Sequence, residues 1–175
     1  WAAKGGALEL SEFRLRPLVK SVMDSQQLTL VGQRLRLDLK VPDVDVTADR
    51  GKLRLILDNL LSNAVKFTEK GHVLIDVSGE SSEGIVQLKV SVEDTGIGMS
   101  DEEIKIALTP FGQVDGGRAR LREGTGLGLP IAKSLIELHS GKLSIRSETG
   151  VGTIVSVMLP SRHAVTGLGH GAQTA

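Results

Sequence analysis

The stretch from Asp49 to Thr68 constrains the chain most. Leu53, Ile56, Leu57, Leu60, Leu61 and Ala64 recur at helical intervals, so the segment reads as a helix that buries one side. Asp49 can cap its first turn, and the helix is expected to end near Thr68, before Gly71. Its other side carries Asn59, Asn63 and Lys66, spaced by four and then three residues and therefore on one face. Two amide oxygens and an ammonium do little to stabilise a helix. They do suit a metal-bound polyphosphate, because Mg²⁺ takes oxygen ligands and keeps waters and phosphate oxygens, while Lys66 adds a point charge. Taken alone, such a face reads better as an ordinary solvated one, which helices show routinely.

A buried helix side needs a partner layer, and the flanking sequence supplies one. Leu35, Leu37, Leu39 and Val41 alternate with Arg34, Arg36, Asp38 and Lys40, as in a half-buried strand, and Pro42 closes it. Strands are expected at Val73 to Val77 and Ile85 to Val92, joined by a polar turn from Gly79 to Gly84, and again at Leu143 to Ser147 and Thr153 to Leu159. An earlier helix is expected from Arg16 to about Val31. A short one should begin at Asp101, capped by Ser100, and a third should run from about Gly126 to His139 with Gly141 as its left-handed cap. The late strands pair as hairpins without crossover helices. The expected fold class is therefore an α/β two-layer sandwich, a mixed, mostly antiparallel sheet covered on one face by helices.

Composition narrows the function classes. The chain of 175 residues suits one globular domain. Lys plus Arg, at 21, equals Asp plus Glu, at 21, so no overall field draws it to nucleic acid or to an anionic membrane. Aromatics are 2% and tyrosine is absent, which leaves little for stacking single-stranded bases. Without cysteine there is neither a disulfide framework nor a thiolate metal site. No apolar run approaches the roughly 20 residues that cross a bilayer.

Two further motifs carry chemistry. Asp94-Thr95-Gly96-Ile97-Gly98-Met99 follows a strand directly. Its glycines allow close backbone approach or positive φ, and its Asp can accept a hydrogen bond from an exocyclic amine such as that of adenine. A tight turn with a capping carboxylate explains this hexapeptide as well. Gly124-Thr125-Gly126-Leu127-Gly128-Leu129 opens a helix, where amides and the positive helix end suit phosphate. It follows a long irregular loop and not a strand, and no Gly-Lys-Ser/Thr occurs, so Rossmann and P-loop readings both fail.

In order, the chain reads Asn-x-x-x-Asn-x-x-Lys on a helix, Asp-x-Gly-x-Gly after a strand, a long Gly/Arg loop, Gly-x-Gly-x-Gly opening a helix, and Gly152-Thr153 entering a last strand. This order resembles the ATPase superfamily of gyrase, chaperone, histidine kinase and mismatch-repair proteins, over roughly Leu8 to Pro160. Asp58 to Thr68 resembles the asparagine box of sensor histidine kinases, Pro110-Phe111-Gly112-Gln113-Val114-Asp115 their phenylalanine box in the ATP lid, and Leu138-His139-Ser140-Gly141 the end of the helix after the lid. The resemblance implies the Bergerat fold and a Mg-ATP site. Asn63 and Asn59 would hold Mg²⁺, Lys66 would contact phosphate, and Asp94, with Gly96, Gly98 and Thr153, would bind adenine. Phe111, Gln113, Gly124, Thr125, Gly126, Leu127 and Gly128 would form the lid and phosphate contacts. Many members carry Arg where Gln113 stands, and Arg118, Arg120 or Arg122 could supply that charge.

The resemblance also separates kinase from hydrolase. In the gyrase, chaperone and mismatch-repair branches, a Glu one turn before the metal Asn activates water. Here that position is Asn59, which takes no proton at neutral pH. Asp58 lies about 100° around the helix. The implied function is transfer of the ATP γ-phosphate to a histidine on a dimerisation domain, with a response regulator as downstream partner, in the cytoplasm. None of His72, His139, His163 and His170 has the sequence surroundings of the family's phosphoacceptor. The acceptor is expected on a helical hairpin preceding Trp1, with residues 1–10 as linker, 11–160 as the catalytic domain and 161–175 as a frayed tail. A nucleotide-binding pseudokinase, a hydrolase and a structural interaction module are the competing readings.

Overall fold

The computed structural model describes residues 6–27, 30, 34–82, 85–112 and 125–160. Strand β1 (Leu10–Arg14) leads into helix α1 (Leu15–Gln27). Strands β2 (Arg34–Lys40) and β3 (Asp45–Asp49) precede the long helix α2 (Arg50–Phe67). Strands β4 (Lys70–Ser82) and β5 (Ile85–Asp94) follow, then α3 (Asp101–Ala107), α4 (Gly128–Leu138), β6 (Lys142–Glu148) and β7 (Gly152–Pro160).

The main sheet has the order β2-β4-β5-β7-β6. Only β2 and β4 run parallel; the other neighbours are antiparallel. The mixed, mostly antiparallel sheet expected from the sequence is therefore present. Alternation fixes its two faces: Val73, Ile75 and Val77 on β4, Leu88, Val90 and Val92 on β5, and Val155, Val157 and Leu159 on β7 are buried, while the residues between them are more open. Helices α1, α2 and α4 close this face with Leu15, Leu18, Val19, Val22, Leu53, Ile56, Leu57, Leu60, Leu61, Ala132 and Ile136. These side chains form the core.

Several boundaries differ from the sequence expectation, each for a local reason. Helix α1 stops at Gln27 and not near Val31; the Leu30 amide donates to the Gln27 carbonyl, 3.1 Å, and Leu30 packs on the core from outside the helix. Strand β4 runs on to Ser82, with Gly79 opposite Leu88, so the expected polar turn from Gly79 is mostly strand. Helix α4 begins at Gly128 because Gly126 has φ +67°, outside the helical region. At its other end the left-handed residue is Ser140 (φ 56°) and not Gly141. Ser140 and Gly141 amides donate to the Glu137 and Ile136 carbonyls, both 2.9 Å, the paired bonds of a Schellman turn.

One small sheet has no counterpart in the sequence pattern. Strand β1 pairs antiparallel with β3, Leu10 opposite Asp49 and Arg14 opposite Asp45. The corner is locked by Asp49, whose Oδ1 accepts from the Lys52 amide, 3.0 Å, as the expected N-cap of α2, and whose Oδ2 accepts from the Glu9 amide, 3.0 Å, and from Lys52 Nζ.

Candidate functional site

The last three turns of α2 organise the site. Burying Leu53, Ile56, Leu57, Leu60 and Leu61 against the sheet turns Asn59 and Asn63 toward the start of α4. A Cβ at Gly128 would lie 3.2 Å from Asn59 Oδ1 and 3.4 Å from Asn63 Nδ2, so any larger residue there would crowd both amides. Asn59 Nδ2 donates to the Leu55 carbonyl, 2.8 Å, which leaves its Oδ1 as the atom turned to this junction. Lys66, in the last turn, has Nζ 5.0 Å from the centroid of the Phe67 ring. Asp58, the neighbouring carboxylate, lies 3.5 Å from Arg54 Nε, and Arg54 in turn donates to Ser21 Oγ on α1, 2.8 Å. Asp58 thus belongs to the α1–α2 contact. Burial raises its pKa and Arg54 partly offsets that.

Strand β5 delivers Asp94, 9% exposed, to the C-terminal end of α2. Its Oδ1 accepts from the Gly96 amide, 2.8 Å. The Ile97 amide donates to the Phe67 carbonyl, 3.2 Å, and a Cβ at Gly96 would meet that same oxygen at 2.3 Å; only glycine lets the loop lie this close to the helix end. Gly98 has φ +64°, and a Cβ there would meet the Glu148 carbonyl at 1.9 Å. The loop is fastened on every side. The Thr95 amide donates to the His72 carbonyl, 3.2 Å, the Gly150 amide to the Ile97 carbonyl, 2.7 Å, and the Met99 amide to Ser147 Oγ, 2.7 Å.

Burial pushes the Asp94 carboxyl above the usual carboxylate value. Hydrogen bonds from the Gly96 and Thr153 amides and the nearby Thr68 hydroxyl oppose this only in part, and Glu93 adds to the rise. Thr153, buried, stands opposite Asp94 in the β5–β7 ladder, with its Oγ1 2.8 Å from Ser147 Oγ.

The second glycine turn reaches the same place. The Phe111 amide donates to the Gly126 carbonyl, 3.1 Å, and Gly126 packs so closely that a Cβ would meet the Gly112 carbonyl at 2.8 Å. Phe111 itself is 73% exposed with φ 62°. Thr125 is exposed, and Leu127 heads α4 without a side-chain cap, so the first-turn amides of that helix remain available. Gln113 and Gly124 lie outside the described residues, as do Arg118, Arg120 and Arg122. Asn59, Asn63, Asp94, Gly96, Gly98, Gly126, Gly128 and Thr153 are thus brought to one end of α2. Asn63 precedes Phe67, the residue that anchors the Asp94 loop, by one helical turn.

Two residues of the site escaped sequence reasoning. Ser147 ties Met99 to β7 from a strand position that otherwise continues the inward face of Leu143 and Ile145; a hydroxyl in that apolar series is the signal that was available. Thr68 is 1% exposed and lies beside Gly96. Among the histidines, His139 ends α4, buried, with Nδ1 2.7 Å from the Leu135 carbonyl, as a helix-end histidine should.

Comparison with known proteins agrees with this geometry. Residues 48–163 match the model of the family described as histidine kinase-, DNA gyrase B-, and HSP90-like ATPase. The hybrid signal transduction protein dokA of Dictyostelium discoideum is 38% identical over 170 residues, 88% of this chain and 10% of that protein. Histidine protein kinase DivJ of Caulobacter vibrioides is 38% identical over 155 residues, 87% of this chain and 25% of its own. The chain therefore spans a quarter or less of these relatives. Among solved structures, full-length ShkA in complex with AMPPNP superposes with TM-score 0.73 at 30% identity, covering 91% of this chain and 33% of that one. The catalytic domain of histidine kinase ThkA gives TM-score 0.69 at 26% identity, with 87% and 97% covered. A catalytic domain of the histidine kinase kind, this chain belongs to the histidine kinase-, DNA gyrase B-, and HSP90-like ATPase family.

Proposed function

We propose that the site binds Mg-ATP and passes its γ-phosphoryl group to a histidine on a dimerisation and phosphoacceptor domain, from which a response regulator receives it. The observation that carries this reading is the convergence of the Asn59/Asn63 face, the Asp94 loop and the head of α4 on the end of α2. Asp94 would accept from the adenine exocyclic amine, with Gly98 and Thr153 shaping the pocket. The α4 amides, Thr125, Leu127, Lys66 and the glycines would take phosphate, and Phe111 and Gln113 belong to the lid side. The donor set fits magnesium only as a phosphate-bound ion. Asn59 and Asn63 offer neutral oxygens, which suit Mg²⁺ when phosphate oxygens and water complete its shell, and among the described residues no cluster of three or more His, Cys, Asp or Glu is placed to hold a metal alone. When bound, the ion would neutralise charge on the transferring phosphoryl group.

Kinase chemistry is favoured over hydrolysis by the surroundings of Asn59. Its amide is tied to Leu55, and the nearby acid Asp58 is committed to Arg54, so neither is set to deprotonate water. No helix among the described residues is long and apolar enough to cross a membrane; a cytoplasmic setting is part of the proposal. Calorimetry with ATP, ADP and GTP, each with and without Mg²⁺, tests the site. The expected result is tight adenine-nucleotide binding, weak GTP binding, and ATP affinity that rises with Mg²⁺. Equal affinity for ATP and GTP would overturn the role given to Asp94. Addition of the acceptor domain should then yield phosphohistidine, whereas steady phosphate release without it would favour the hydrolase reading.

A further inference from the structure

Thr68 is the residue at which α2 hands over to the loop before β4. Its backbone is extended, φ −117° and ψ 105°, a conformation any β-branched residue adopts, and its side chain is 1% exposed. Valine has the same shape and would fill this place with no polar atom to desolvate. Yet the position holds a hydroxyl, placed beside the Asp94 carboxylate, whose charge it favours without closing a well-formed hydrogen bond to it. Burying a hydroxyl that closes no well-formed hydrogen bond costs stability, so its presence calls for a use beyond packing.

Its surroundings indicate the use. The point that a Cβ on Gly96 would occupy lies 2.8 Å from Thr68 Oγ1 and 2.8 Å from Asp94 Oδ1, which puts hydroxyl and carboxylate on the same side of the Gly96 backbone. Any side chain at residue 96 would be driven between them. Asp94 has the Gly96 amide on Oδ1, and an ionised carboxylate can accept about four hydrogen bonds.

We infer that Thr68 is a positioning residue for base recognition: its hydroxyl donates to the Asp94 carboxylate in the nucleotide-bound state and aims it at the exocyclic amine of adenine. This rests on the adenine role proposed for Asp94 and extends it to specificity. A carboxylate held by the Gly96 and Thr153 amides and, on the Gly96 side, by Thr68 is fixed in rotation and presents its remaining lone pairs in one direction. A purine bearing a carbonyl oxygen in place of the amine brings a second acceptor against that carboxylate and is rejected, because a buried acceptor pair has no proton to share. Without the Thr68 donor the carboxylate can rotate, and discrimination shrinks.

The test compares ADP with inosine diphosphate, which carries a carbonyl oxygen where ADP has its amine, by calorimetry on wild type, Thr68→Val and Thr68→Ser. The expected result for Thr68→Val is about tenfold weaker ADP binding, the scale of one hydrogen bond to a charged group. Inosine diphosphate affinity should change little, so the ADP preference narrows by nearly the same factor. Thr68→Ser, which keeps the hydroxyl, should retain the wild-type preference. Unfolding midpoints should not fall in Thr68→Val. Should that variant not fold, Thr68→Ala is read for the same ratio. An unchanged ADP to inosine diphosphate ratio in a folded variant overturns the inference, as does a loss of stability with both nucleotides weakened alike, the mark of a merely structural hydroxyl. If wild type itself shows no ADP preference, it is the adenine reading of Asp94 that fails.

Discussion

Asp49 and Asp94 each end a strand, and each is buried, at 5% and 9% exposed. Their carboxyls are nonetheless driven in opposite directions. At Asp49 burial raises the pKa, but the Lys52 ammonium and amide and the Glu9 amide more than compensate and bring it down to about 2. At Asp94 burial wins over the Gly96 and Thr153 amides and Thr68, and Glu93 adds to the rise. The difference lies in the partners. Asp49 is met by two amides and the Lys52 ammonium and joins β1 to the head of α2, so a cation balances its charge inside the fold. Asp94 is met by two amides and a hydroxyl, all neutral, so no cation of the protein balances its charge. A buried carboxylate whose partners fall short of its desolvation is the kind of group that a ligand completes.

This contrast can be broken most sharply at Asp94. Asp94→Asn should weaken ADP binding about 100-fold, the loss of a hydrogen bond to a buried charge, while the urea midpoint holds or rises because a desolvated charge is gone. Calorimetry and urea unfolding on the same variant decide it, and unchanged ADP affinity would contradict the division of roles. Asp49→Ala should do the reverse. It should cost about 2 kcal/mol of stability, from the lost cap and its charged hydrogen bond, and leave the ADP affinity of the folded protein within about twofold.

Acidification should separate the two groups without mutation. Asp49, with its folded value depressed, contributes stability that is present in full above the ordinary 3.8 and is lost only as the pH falls through about 2. Asp94 has a raised folded value, so its ionised form is a burden on the fold above that value, relieved as the pH falls through it. ADP affinity should therefore decline on acidification while Asp49 still supports the structure. Binding and circular dichroism followed together from neutral pH downward measure the order of the two losses. The smallest effect is expected at a third acid, Glu103, which accepts from the Ser100 amide, 2.7 Å, in the capping box of α3. Glu103→Ala should cost about 0.5 kcal/mol, with no effect on ADP.

What the sequence revealed follows the same division between local and non-local physics. Helix α2 was legible because its apolar period and its Asp49 cap are local. The sheet strands were legible where β4, β5 and β7 alternate, since only one face is covered. Strand β1 was not: its residues are mostly exposed, and its pairing with β3 depends on Asp49, a residue 39 positions beyond Leu10 in the register. The turn after α4 misled because glycine is the usual left-handed residue. Gly141 answers a different need, since a Cβ there would meet the Met158 carbonyl at 2.5 Å, and Ser140 takes the positive φ. In the site, Asn, Asp and Gly stood out because their types and spacing are unusual together. Thr68 did not, because one hydroxyl at a helix end carries no signal until its neighbours are known, and Ser147 showed only as a hydroxyl continuing the series of Leu143 and Ile145.

The hydrogen bond from the Phe111 amide to the Gly126 carbonyl has a consequence for variation. It clamps two positions, 15 residues apart in sequence, at one spot on the body. Lengthening the chain between two positions fixed in this way carries slight thermodynamic expense, about 0.6 kcal/mol for each doubling of a flexible connection, and need not displace α3 or the amides that head α4. The module can accept insertions of different size there while its nucleotide-facing frame stays the same.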